Sequence, residues 1–196
     1  MNFRLRDILI ASTLLVLMAP LMGMIMLLLW ATQGRVLFLQ KRPGYRGKPF
    51  TLYKFSTLYD ADPGEDEAAN QVARQTVVGR YLRRWSLDEL PQLINVLKGE
   101  MSLVGPRPLL MEYWDLYTDE ERKRHDVLPG ITGWAQVNGR NTLRFKERFE
   151  YDLWYVEHRS ICLDWQILRM TLGRIVRRDG VYAGAETTSP RFDGTN

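Results

Sequence analysis

The 196-residue chain is short of the side chains that build most metal and redox sites, with one cysteine, Cys162, and two histidines, His125 and His158. A lone cysteine excludes an intrachain disulfide and fits a body facing a reducing cytoplasm. Two histidines far apart in sequence exclude a Cys/His metal cluster by count, and each reads as a surface or structural residue. Familiar nucleotide loops are missing too: there is no GxxxxGKS/T and no GxGxxG after a strand, and no G-x-S-x-G marks a serine nucleophile. No internal repeat is present, and the length suits one domain with a modest core.

Charge is absent in one place. From Ile8 to Gly34 there is no Asp, Glu, Lys or Arg. Ile8 to Trp30 spans 23 residues, which as a helix at about 1.5 Å per residue crosses a hydrocarbon core of roughly 30 Å. Pro20 sits near its middle, where it removes one backbone donor and sets its ring against the carbonyl of Val16. Both flanks are basic, with Arg4 and Arg6 before the segment and Arg35, Lys41, Arg42, Arg46 and Lys48 after it. A helix broken at Pro20 that re-enters the same leaflet keeps both flanks on the cytoplasmic side. A spanning helix with a short translocated tail is the alternative, and sequence physics leaves both open. A cleavable signal peptide fits less well, because apolar residues continue past Pro20 without a small-x-small site. The chain therefore divides into a membrane element, 1–34, and a polar body, 35–196. Its formal charge of +4 favours anionic partners such as phosphates or an acidic lipid surface, and nothing points to nucleic acid.

In the body, Arg35 to Phe55 reads as a β-hairpin turning at Pro43, Gly44 and Gly47. Asp60 to Glu67 holds five acids in eight residues and reads as a solvated loop. Ala68 to Leu82 has helical character, and Thr118 to Glu121 has the spacing of a capping box. Two aromatic-rich helices follow, one with Phe145, Phe149, Leu153 and Val156 at helical spacing, the other with Ile161, Trp165, Leu168, Leu172 and Ile175. The second carries Arg169, Arg174, Arg177 and Arg178 beside its stripe, a pattern equally suited to an anionic membrane surface and to a core face with solvated arginines.

Acids, arginines and conformationally fixed residues concentrate between Arg83 and Asn141. Asp88 and Glu89 diverge by about 100° on a helix, which suits two different roles better than a shared proton. Ser86 and Glu89 have capping-box spacing, but a helix begun at Ser86 sets Pro91 against Leu87. A helix begun at Pro91 avoids that clash and leaves both acids in the preceding turn. In "GPRP", Pro108 restricts Arg107 to an extended backbone, so a stiffly held guanidinium is available for a phosphate, although an ordinary Pro-rich turn has the same letters. "PGITGWAQVNGRN", 129–141, surrounds Trp134, Gln136, Asn138 and Arg140 with glycines, so it is either a ligand loop for a base or sugar or a buried loop.

These stretches, with Asp7, the Pro20 break, "RPG" at 42–44, "YKF" at 53–55, "SLDELPQLINVLKGEMSLVGPRP" at 86–108 and Thr187-Thr188, resemble the bacterial sugar transferase family, the small monotopic phosphoglycosyl transferases. The resemblance covers essentially the whole chain. It implies an α+β, mostly helical protein: a re-entrant membrane helix broken at Pro20, then a small globular domain with a β-hairpin and interfacial amphipathic helices, on the cytoplasmic face of the bacterial inner membrane. It also implies transfer of a phospho-sugar from a UDP-sugar to undecaprenyl phosphate, with release of UMP and a requirement for Mg²⁺. By residue, Asp88 matches the nucleophile and Glu89 its partner carboxylate near the metal, while Arg83 and Arg107 match phosphate-site arginines. Arg140 is a third phosphate candidate, and Trp134, Gln136 and Asn138 are the candidates for a nucleotide or sugar pocket. Two departures stand out: Ala19-Pro20 replaces the commoner Ser-Pro, and "KFSTL" at 54–58 replaces a lysine-phenylalanine-basic-threonine-methionine run. The rival expectations are a non-catalytic membrane-binding or scaffold protein and a two-carboxylate glycosidase; adjacent acids supply the 5 to 9.5 Å separation of the latter poorly.

Overall fold

A computed structural model describes residues 2–59, 74–139, 143–177 and 191–195. The acidic loop, the first residues of the expected 68–82 helix, Arg140, Arg178 and Thr187-Thr188 lie outside the described residues.

Helix α1 runs from Phe3 to Gln33, capped by the Asn2 side chain and ended by Gly34 in the left-handed region. The expected break at Pro20 does not interrupt the helix, which continues on both sides of it. Proline removes a single donor, and burial of one face on either side of it holds the flanking turns in line. That face consists of Asp7, Ala11, Met22, Ile25 and Leu29, with Leu15 and Met18 partly buried, a spacing of three or four residues throughout. Ala11 packs in a cluster with Leu93, Val96 and Met101. Met22, Ile25 and Leu29 pack with Phe55 and Leu82. The remaining apolar residues, among them Val16, Leu17, Leu27 and Trp30, are exposed, and α1 is long and apolar enough to cross a membrane.

The two ends of α1 are tied to the body by polar contacts. Arg4 donates to the carbonyls of Val96 and Leu97. Arg6, buried, pairs with Asp7 at 2.7 Å and Asp164 at 2.6 Å; Ser102 Oγ donates to Asp7 and the Tyr155 hydroxyl to Asp164. At the other end Gln33 Nε2 donates to the Ser56 carbonyl at 2.8 Å.

Strands β1 (Leu37–Pro43) and β2 (Pro49–Phe55) form the expected antiparallel hairpin, paired from Leu37 with Phe55 to Pro43 with Pro49. Arg46 and Gly47 take positive φ at its tip. Helix α2 covers Val77–Arg84, not the whole of 68–82: Gln75 bridges Leu58, and Thr76 caps the helix by accepting from the Gly79 N–H. A 3₁₀ turn at Leu87–Glu89 leads to α3, Gln92–Lys98. Strands β3 (Ser102–Val104) and β4 (Gly130–Thr132) pair in parallel, a ladder that three-residue segments do not announce in sequence. A Cβ at Gly105 or Gly130 would collide with the backbone of the other segment, so these glycines serve close chain packing. Between them α4, Asp119–Arg122, begins with the expected capping box of Thr118 and Glu121.

Short α5 (Trp134–Asn138) packs against α6 (Phe145–His158) and α7 (Ile161–Arg177). Phe145 and Phe149 of α6 are buried as expected, but Asp152 and Tyr155 continue that face in place of Leu153 and Val156. On α7 the core face is Leu163, Asp164 and Ile167, while Trp165 is 49% and Leu172 65% exposed. Of the apolar stripe read from the sequence Leu168 packs against the core, whereas Trp165 and Leu172 stay outside it, and polar partners from α1 and α6 let Asp164 be buried there.

Candidate active site

Asp88 and Glu89 sit in the 3₁₀ turn between α2 and α3. The capping box at Ser86 does not form: Ser86 has φ 55°, ψ 23° and its side chain caps nothing. A serine in the left-handed region costs roughly 1–2 kcal/mol. The alternative, an uninterrupted helix, would drive Pro91 into the Leu87 carbonyl. The chain instead turns once, and α3 restarts with Pro91 at its N-cap position, which is the register that leaves both acids ahead of the helix.

Glu89 is clamped. Its Oε1 accepts from Arg107 Nη2 at 2.6 Å and from Lys54 Nζ at 2.8 Å. Burial acts to raise its pKa, but Arg107 and Lys54 outweigh it and hold the carboxyl well below the usual range. Asp88 differs. It is buried, and among the described residues nothing donates a hydrogen bond to its carboxylate. Burial pushes its pKa up, Lys54 opposes that, Glu89 adds to it, and Arg83 and Arg107 oppose it further. Two adjacent carboxylates thus have their pKa values driven apart, one firmly ionised and one desolvated.

Each cation arrives from a different element. Lys54 lies on β2, Arg107 on the extended segment after β3, and Arg83 at the end of α2, where its Nε donates to Thr57 Oγ1 at 2.8 Å. Behind Arg107, Arg124 Nη2 donates to the Arg107 carbonyl at 2.8 Å and pairs with Asp152 at 2.6 Å. His125 is buried with Nδ1 3.2 Å from the Gly44 carbonyl, and burial with Arg124 nearby takes its pKa down to about 3. It is a neutral structural residue.

The structure therefore brings Asp88, Glu89, Arg83 and Arg107 together and adds Lys54, Thr57 and Arg124. Lys54 is signalled in the sequence by a lone cation at the inward-facing positions of an otherwise apolar strand; nothing local signals Arg124. Trp134, Gln136 and Asn138 lie apart on α5. Gln136 Nε2 donates to the Ile131 carbonyl and Asn138 Nδ2 to the Trp134 carbonyl. Trp134 stacks on Trp154 at 5.0 Å and borders an open cavity of about 560 Å³ with Leu143, Glu147, Glu150, Tyr151 and Trp154. Arg140 falls outside the described residues.

Among the described residues no group of three or more His, Cys, Asp or Glu side chains could hold a metal. Magnesium does not need such a cage, since it is commonly held by one or two carboxylates with phosphate oxygens and waters. Asp88 and the second oxygen of Glu89 supply hard donors of that kind, so the donor set fits Mg²⁺ brought in with a phosphorylated substrate.

A profile for bacterial sugar transferases matches residues 1–178. The chain is 50% identical over 160 residues to the uncharacterized sugar transferase EpsL of Bacillus subtilis (strain 168), covering 82% of this chain and 79% of that protein. It is 41% identical over 180 residues to the UDP-glucose:undecaprenyl-phosphate glucose-1-phosphate transferase of Escherichia coli (strain K12), covering 86% of this chain and 39% of that one. With the undecaprenyl-phosphate galactose phosphotransferase of Salmonella typhimurium the identity is 37% over 193 residues, 90% of this chain and 40% of that protein. The chain thus spans about 40% of the length of these two enzymes. With the match running from α1 through the acid pair to α7, the chain belongs to the bacterial sugar transferase family.

Proposed function

We propose that the chain is a phosphoglycosyl transferase that moves a phospho-sugar from a UDP-sugar to undecaprenyl phosphate and releases UMP. The observation that carries this reading is the contrast within one turn: a buried Asp88 that accepts no hydrogen bond from the described residues beside a Glu89 fixed by two cations. A carboxylate stripped of donors is a better nucleophile than a solvated one, and the surrounding Lys54, Arg83 and Arg107 suit a substrate that arrives as a diphosphate. The relatives' names supply the substrate classes.

In the first half-reaction an Asp88 oxygen attacks the phosphorus bonded to the sugar. The bond from that phosphorus to the bridging oxygen breaks, and UMP leaves with the electron pair. In the second, a phosphate oxygen of undecaprenyl phosphate attacks the same phosphorus, the aspartyl bond breaks, and the Asp88 carboxylate is restored. Arg107 and Lys54 offset charge on the phosphates, and Glu89 holds those two cations in place. Asp88 and Glu89 would hold Mg²⁺, which would supply Lewis-acid stabilisation of phosphate charge.

A re-entrant α1 with the body on one leaflet belongs to the same reading. In its support, the buried face of α1 follows the body along the length of the helix, from Arg4 and Arg6 to Gln33. A spanning helix carries its two ends to opposite faces of the bilayer. The exposed Trp165 and Leu172 on α7, with Arg169 also exposed, suit an interfacial helix. The chain accordingly divides into a membrane-embedded helix, 1–34, and a catalytic body, 35–196, at the cytoplasmic face of the bacterial inner membrane.

UMP release from a panel of UDP-sugars, with and without undecaprenyl phosphate and Mg²⁺, tests the reading. UMP formation from at least one sugar, with transfer to the lipid, is expected. Absence of release from every UDP-sugar would favour a non-catalytic membrane protein.

A further inference from the structure

The inward face of the hairpin extends the cationic site beyond the residues considered so far. Along β1, Phe38, Gln40 and Arg42 are partly buried while Leu37, Leu39 and Lys41 are exposed. Phe38 pairs with Lys54, Gln40 with Leu52 and Arg42 with Phe50. Directly paired residues share a face of the sheet, so Arg42 lies on the same face as Lys54, four residues further along, about 13 Å between backbones. Arg107 is linked to both: it shares Glu89 Oε1 with Lys54, and its charge acts on Arg42.

Arg42 is poorly compensated where it sits. Its Nη2 donates to Gln40 Oε1 at 2.5 Å, but its Nε is buried and has no hydrogen-bond partner among the described residues. No described carboxylate pairs with it directly. Burial, followed by repulsion from Arg107 and only partly offset by Tyr113, Tyr117 and Glu112, takes its pKa down to about 10, still charged at neutral pH. The Arg42 position is nonetheless fixed, since Pro43 is buried behind it and the Gly44 carbonyl is held by His125. A guanidinium with an unused donor, held in the repulsive field of a second arginine, is a group that an anion would complete.

We propose that Arg42 binds the nucleotide-side phosphate of the UDP-sugar, so that a row of Lys54, Arg107 and Arg42 lays the diphosphate along the hairpin with the sugar-side phosphorus at Asp88. This rests on the transferase reading above. It assigns the direction of the substrate in the site: the group that leaves as UMP lies toward the hairpin tip, away from Asp88. The lipid phosphate of the second half-reaction attacks at Asp88 and does not require Arg42.

The test is UMP binding to the full chain in detergent, by calorimetry, for the wild type, Arg42→Gln, Arg42→Lys and Lys41→Gln. Lys41 carries the same charge on the exposed face of the same strand, so its variant controls for the general field. Expected is about tenfold or greater weakening for Arg42→Gln, a smaller loss for Arg42→Lys, and little change for Lys41→Gln. The rate at which undecaprenyl phosphate consumes preformed intermediate is expected to stay within about twofold of wild type. Melting temperatures identify any variant that fails to fold, in which case Arg42→Lys decides. Unchanged UMP affinity, or an equal loss in Lys41→Gln, overturns the assignment alone, as does a matching loss in the lipid step. Failure of the wild type to bind UMP overturns the transferase reading and the assignment together.

Discussion

Arg124 Nη2 donates to the carbonyl oxygen of Arg107 at 2.8 Å, so one buried arginine fixes the backbone that carries another. Arg124 is in turn held by Asp152 Oδ2 through Nε at 3.1 Å and Nη2 at 2.6 Å. Both partners are fully buried. The site cation that reaches Glu89 is thereby tied to α6, more than forty residues further along the chain.

Removing one partner from that pair exposes its cost. Asp152→Ala leaves the Arg124 charge buried without a counter-ion, an effect of about 3–5 kcal/mol. Denaturant midpoints should show it. Arg124→Lys keeps the charge but loses the fork that serves Asp152 and the Arg107 carbonyl together, so the KM for UDP-sugar should rise several-fold, with a smaller stability loss than Asp152→Ala. A Lys variant with native KM would remove Arg124 from any positioning role.

Asp88→Asn separates stability from activity. Burial raises the Asp88 pKa above its unfolded value, so the ionised form opposes folding at neutral pH, and relief comes as pH falls through the folded pKa. A neutral isostere removes that opposition at all pH values. The variant should therefore melt at or above the wild-type temperature at pH 7, by roughly 2–4 °C for each 1 kcal/mol relieved, while UMP release and labelling of the protein by UDP-sugar fall to background. Retained turnover would transfer the nucleophile's role elsewhere.

Lys54 offers a test through pH. Its charge lowers the Asp88 pKa against the rise that burial imposes. With Lys54→Met that opposition is lost, and the acid limb of kcat/KM for UMP release should move to higher pH. Activity should also fall about tenfold or more, since Glu89 then depends on Arg107 alone. An acid limb at its wild-type position would show that Asp88 does not govern it.

The parts of this architecture that were legible in the sequence are local. The hairpin is written in Pro43, Gly44 and Gly47, and the capping box at Thr118 and Glu121 needs only an oxygen and an N–H three residues apart. Ser86 and Glu89 carry the same letters and fail, because Pro91 makes the helix they would start unaffordable in that register. Asp88, Glu89 and Arg107 stood out as acids and a fixed arginine. Arg42 did not, and Lys54 showed only as a lone cation among the inward positions of an apolar strand, because their roles depend on strand pairing and on contacts with segments dozens of residues away. Asp152 and Asp164 look solvent-facing on a helical wheel; they are buried only because Arg124 and Arg6 arrive from elsewhere in the chain. Gly130 invited a ligand-loop reading beside a buried-loop one, and it accommodates the backbone of Gly105.

The membrane geometry is testable at the two ends of α1. Arg6 is buried against Asp164 of α7, and Gln33 reaches the Ser56 carbonyl after β2, so both ends rest on the same body. A helix of 31 residues is about 46 Å long, enough to separate its ends across a bilayer if it spanned one. With Cys162 replaced by Ser, single cysteines at Asn2 and Thr32, both exposed, should react with a membrane-impermeant maleimide from the same side of oriented vesicles. Labelling from opposite sides would make α1 a spanning helix. That outcome would require the Arg4, Arg6 and Asp7 contacts to open, because the body can lie at only one face. Arg6→Ala probes those contacts separately: it leaves Asp7 and Asp164 buried without their shared cation and should destabilise the chain by about 3–5 kcal/mol, read as loss of folded protein in detergent at moderate temperature.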